Sequence, residues 1–129
     1  MADLGEAGSG TGHGRKLDSS PCYLTSLRAA NIRRHAEWAD GREVPLSFRG
    51  LELGGEAGEA CNELKKLERV RLGLVGGSED ISGLREELAD VLICVDLIAM
   101  DLGIELGEAV RAKFDKTSSK YGLKSRFDG

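Results

Sequence analysis

Apolar residues recur at steps of three and four in four separate stretches of this chain, and no stretch alternates as a half-buried strand does. From Pro21 to about Ala39 one stripe consists of Ala29, Ile32, Ala36 and Ala39. A second stripe, Leu24, Leu27, Asn31, Arg34 and Trp38, begins apolar and turns polar, as the wall of a pocket would. Asp40 to Phe48, with Gly41 and Pro45, is expected as a loop. A second helix is predicted from about Leu51 to Leu72 by Leu53, Ala57, Ala60, Leu64 and Leu67, with the polar stripe Glu52, Glu56, Glu59, Glu63 and Lys66 beside it. Gly73 to Gly83 breaks the pattern and is expected as a mobile connection, with Ser78 or Ser82 capping the next helix.

The third helix, about Leu84 to Leu102, is acidic at first and then apolar on every face from Val91 to Met100 except at Asp96. Such a helix requires burial on all sides. A single chain of 129 residues has little material for that, so a homo-oligomeric helix bundle is expected. Gly103 ends this helix and a fourth is predicted from about Glu105 to Tyr121. The fold class is therefore all-α, with a flexible Gly-rich tail over residues 1–20, one helical domain over 21–123 and a loose tail over 124–129.

Composition narrows the function without naming it. A net charge of −4 with no dominant basic face argues against nucleic acid as a partner. No run reaches the length of a membrane span and the first twenty residues lack a signal-peptide core, so a cytoplasmic protein is expected. Cys22, Cys61 and Cys94 have neither disulfide nor zinc spacing, and Cys61 and Cys94 fall in apolar helical runs as packing residues. Gly8, Gly10, Gly12 and Gly14 lack the strand and the Gly-Lys-Ser/Thr of a phosphate loop.

The chemistry concentrates in two acidic pairs at one spacing, Glu56-Ala-Gly-Glu59 and Glu87-Leu-Ala-Asp90. A three-residue step puts both carboxylates of a pair on one helical face, where like charges repel. Four such groups converging from adjacent helices form an all-oxygen site suited to Mg²⁺, with Mn²⁺ as a substitute. Lys113, Lys116 and Lys120 repeat along the fourth helix as a cationic edge, which suits polyphosphate and equally suits a helix C-terminus. The bland alternative is a pair of solvated acidic faces on a non-catalytic helical interaction module. Di-iron and covalent chemistry are set aside, because His13 and His35 lie in neither setting.

These residues resemble the MazG-like all-α NTP pyrophosphatases in Gly55-Glu56-Ala57-Gly58-Glu59-Ala60, Glu86-Glu87-Leu88-Ala89-Asp90-Val91-Leu92 and the stretch from Lys113 to Gly122. The similarity runs from about Leu24 to Leu123. It implies a bundle of four to five helices assembling as a dimer or tetramer, and Mg²⁺-dependent hydrolysis of a (d)NTP to the monophosphate and pyrophosphate. Metal ligands map onto Glu56, Glu59, Glu87 and Asp90, with Glu59 also the candidate base for the attacking water. Lys113, Lys116, Lys120 and Tyr121 fall where relatives contact phosphates, Lys113 and Lys116 being taken as catalytic, while Lys65, Lys66 and Arg69 are secondary candidates. Base and sugar contacts fall to Asn31, Arg34, His35 and Trp38, with core packing the alternative for Trp38. Asp115 replaces an Asn of many relatives, so its contact is to sugar or phosphate or, through its charge, to metal. The resemblance leaves open a broad enzyme clearing aberrant nucleotides and a specialist for dUTP or dCTP.

Overall fold

The computed structural model describes residues 22–128, which leaves the expected 1–20 tail and His13 outside the described residues. Four helices follow one another: α1 (Tyr23–Ala39), α2 (Leu46–Arg71), α3 (Ser82–Asp101) and α4 (Leu106–Lys120). No strand occurs among the described residues, and no helix there is long and apolar enough to cross a membrane. The main contact is α2 against α3, α1 lies on α3, and α4 rests on α1 alone among the closely packed pairs.

Helix α2 starts at Leu46, inside the stretch expected as a loop. Pro45 explains the difference: its fixed φ and missing N–H suit it to the start of a helix, and its carbonyl accepts from the amides of Phe48 and Arg49. At the start of α3 neither Ser78 nor Ser82 is the cap. The N-cap is Ile81, without a side-chain cap bond, and just before it Asp80 Oδ1 accepts from the Ser82 amide at 2.9 Å, which lowers the Asp80 pKa below the ordinary carboxylate value. Gly83 lets α3 approach α2 closely, since a Cβ there would lie 2.6 Å from Glu63 Oε2. After α3, Gly103 takes φ +65° and turns the chain into α4.

The inward faces differ from those that periodicity favoured. On α1 the stripe Ala29, Ile32 and Ala36 is exposed, and Leu24, Leu27, Arg28, Asn31 and His35 turn inward. The cause is Asp96, the polar interruption of α3, which is 0% exposed. Arg28 Nε reaches its two oxygens at 3.1 and 3.3 Å, and Asn31 Nδ2 donates to Oδ2 at 2.9 Å. A buried carboxylate without such partners would be far too costly, so this network sets the rotation of α1.

On α2, Ala57, Cys61 and Leu64 face outward, while Arg49, Glu52, Glu56, Ala60 and Glu63 lie toward α3. Cys94 is buried as expected, whereas Cys61 is exposed. Among the described residues the buried apolar side chains are small, Ala39, Ala60, Cys94 and Ala99, and Leu88 and Leu92 of the apolar α3 run remain exposed. Residues 124–128, expected as a loose tail, contact α4: the Phe127 amide donates to Asp115 Oδ1 at 2.9 Å, its ring meets Phe114 edge-on, and Asp128 pairs with Arg111.

Candidate active site

The seam between α2 and α3 gathers three of the four predicted carboxylates. One oxygen from each of Glu56, Glu87 and Asp90 lies within 4.8 Å of the others. Opposite ligands of an octahedral Mg²⁺ stand about 4.2 Å apart, so small side-chain adjustments bring these oxygens to one hard cation. Glu59 is outside this trio and exposed, yet it is close enough to act on Glu87. The Glu87 carboxyl is held above its ordinary value by partial burial first, then by the charges of Glu56 and Glu59, a hydrogen bond with Glu56 and the charge of Asp90. Crowded carboxylates on a half-buried seam call for a countercharge, and the donor set fits a divalent cation better than a soft metal.

Behind the trio, Cys94 is buried, and burial followed by the nearby Glu52, Glu56 and Asp90 raises its thiol pKa. That keeps it a packing group and not a nucleophile. One helical turn before Glu56, a cavity of about 200 Å³ opens between α1 and α2. Asn31, Arg34, His35 and Trp38, the predicted base and sugar residues, all line it. Asn31 is also structural, with its amide nitrogen committed to Asp96. Trp38 is 57% exposed and stacks on Phe48 at 5.9 Å between ring centroids, so it is not a core residue.

Arg49, Glu52 and Leu97 complete the lining and were given no role by the sequence. Arg49 fell at the edge of an expected loop. Glu52 stood in the acidic stripe without a partner at the diagnostic spacing, so its position beside Arg49 needed the fold. The lysines Lys113, Lys116 and Lys120 lie on α4, away from the α2–α3 packing, with Lys120 over the Tyr121 ring. Asp115 is engaged by the Phe127 amide. Lys66 pairs with Glu63, Lys65 donates to Asn62 and Arg69 to the Gly76 carbonyl, so these secondary candidates are tied up locally toward the C-terminal end of α2.

The model of the MazG nucleotide pyrophosphohydrolase domain matches residues 50–121, more than half of the chain, including all of α3 and α2 from Gly50 onward. The chain belongs to the MazG family. It is also 33% identical over 75 residues to the Gene 37 protein of Mycobacterium phage L5, covering 58% of this chain and 65% of that protein. The chain thus spans just under two thirds of that relative's length. No solved structure matches it. MazG domains are all-α nucleotide pyrophosphohydrolases and typically depend on a divalent metal, in keeping with the four helices and the acidic trio. The MazG match begins at Gly50, so the α1 wall of the cavity and Arg49 lie outside it.

Proposed function

We propose that this chain hydrolyses a nucleoside triphosphate between the α and β phosphates in the presence of Mg²⁺, releasing a monophosphate and pyrophosphate. The observation that carries the reading is the convergence of Glu56, Glu87 and Asp90 on one seam of a MazG domain. These three residues would hold the cation, which when bound neutralises phosphate charge and makes water more acidic. Glu59, exposed beside the trio, accepts a proton from the attacking water. The water oxygen bonds to the α-phosphorus as the bond from that phosphorus to the bridging oxygen breaks, and pyrophosphate leaves with the electron pair.

The cavity at Trp38 and His35 takes the base and sugar, one turn of α2 from the acids. Lys113, Lys116, Lys120 and Tyr121 supply phosphate contacts. Because α4 is packed on α1, we assign those contacts to a homo-oligomer in which α4 of one copy approaches the acidic seam of another. Exposed apolar and small positions support assembly: Leu51, Gly54, Gly58, Cys61 and Leu64 on α2, and Leu88 and Leu92 on α3.

A panel of ribo- and deoxynucleoside triphosphates, with both phosphate products identified, tests the reading. Pyrophosphate that appears only with Mg²⁺ or Mn²⁺ supports it. Orthophosphate as the primary product, or no turnover of any nucleotide, would overturn it.

A further inference from the structure

We propose that the cavity at Glu52 selects a nucleobase by its exocyclic amino group, favouring cytosine- and adenine-type edges over their oxo counterparts. This inference rests on the nucleotide reading above and adds the class of base.

Its basis is the way Arg49 organises the cavity floor. Arg49 is 2% exposed and has each of its nitrogens directed: Nε to Asp101 Oδ2 at 2.9 Å, Nη2 to His35 Nδ1 at 3.0 Å, and Nη1 toward Glu52 Oε1 at 3.5 Å. Asp101 therefore holds the guanidinium, and the guanidinium holds both His35 and Glu52. An arginine only donates, so His35 Nδ1 accepts and the neutral ring carries its proton on Nε2. His35 thereby presents a fixed donor.

Glu52 presents the complementary acceptor. Its Oε1 is buried and has no hydrogen-bond partner, and Arg49 Nη1 at 3.5 Å is an ion-pair contact only. The Glu52 side chain is 34% exposed and lines the cavity, so its carboxylate offers an acceptor there. A carboxylate has about four lone-pair sites and no donor of its own. An N–H donor completes it, whereas a carbonyl oxygen confronts its negative charge.

A carboxylate acceptor from Glu52 and an imidazole donor from His35 lining one cavity match a particular pattern on a base. Cytosine offers an amino group next to a ring nitrogen that accepts, and so does adenine. Uracil and hypoxanthine reverse both positions, with an oxo group next to a ring N–H. Trp38, stacked on Phe48 at the cavity wall, supplies an aromatic face for any of them and so adds no discrimination. Glu52 precedes Glu56 by four residues, about 6 Å along α2, which leaves the phosphates within reach of the acidic trio.

Two matched pairs of ligands test this: CMP against UMP, and AMP against IMP, each differing at the amino position. Trp38 is the sole tryptophan, so its fluorescence reports occupancy in the full-length protein, with titration calorimetry as a second readout. CMP and AMP are expected to bind at least about tenfold more tightly than UMP and IMP. Glu52→Gln has the same shape but an amide that also donates, and should bring each ratio to within about twofold while circular dichroism stays unchanged. Equal affinities in the unmodified protein, a ratio that survives Glu52→Gln, or saturable binding of none of the four overturns the inference. Amino-selective binding without pyrophosphate release from CTP or ATP would sink the catalytic reading alone.

Discussion

Arg28 of α1 grips Asp96 of α3 with two nitrogens, Nη2 at 3.0 Å and Nε at 3.1 Å from Oδ1, and the same Nη2 donates to the Ile104 carbonyl at 2.8 Å. One side chain thus ties α1 to α3 and to the turn before α4. Through Asn31, which shares Asp96, the grip also fixes the wall of the cavity.

Removing the carboxylate should therefore loosen more than one contact. Asp96→Ala leaves Arg28 and the buried Asn31 amide without their partner, and is expected to cost about 3–5 kcal/mol. Urea denaturation checks this. A loss under about 1 kcal/mol would mean that the network does not orient α1.

Glu87 keeps its proton above the ordinary value of 4.5, so the folded chain binds a proton that the unfolded chain has released. Its contribution to stability is full below that ordinary value and is lost as pH rises through the raised one. Thermal melts between about pH 4 and 7 should show the metal-free protein weakening across that window, with Mg²⁺ offsetting the loss. Glu87→Gln should flatten the metal-free profile, and a variant that retained the original slope would place its origin elsewhere.

Ligand and base can be separated by comparing Asp90→Asn with Glu59→Gln. Asp90→Asn should weaken Mg²⁺ binding on the order of tenfold or more in calorimetry. Glu59→Gln, outside the trio, should change that affinity by less than about threefold while reducing kcat on the order of 10²-fold or more. Were both variants to lose metal equally, Glu59 would be a ligand and its role as base would fall.

Lys116 separates phosphate contact from assembly. Lys116→Ala is expected to reduce triphosphate turnover on the order of 10²-fold while sedimentation shows an unchanged assembly. Parallel loss of activity and assembly would make the lysine a structural residue.

Four helices, their order and the acid-bearing faces can be read from the order of residues alone, because step-three and step-four spacing is a local property of the backbone. The metal-site candidates come from the same source, since a pair at i,i+3 is written directly in the chain. Long-range partnership is not written there. It took the packed helices to establish that buried Asp96 draws the Arg28–Asn31 face of α1 inward, exposing Ala29 and Ile32 instead. Packing likewise brought Glu56 to Glu87 and Asp90 while leaving Glu59 at the margin, and joined Arg49 to His35, Glu52 and Asp101. One cause is common to these cases: periodicity gives the angle between stripes on a helix, but which stripe turns inward depends on how polar groups on other helices are satisfied once water is excluded.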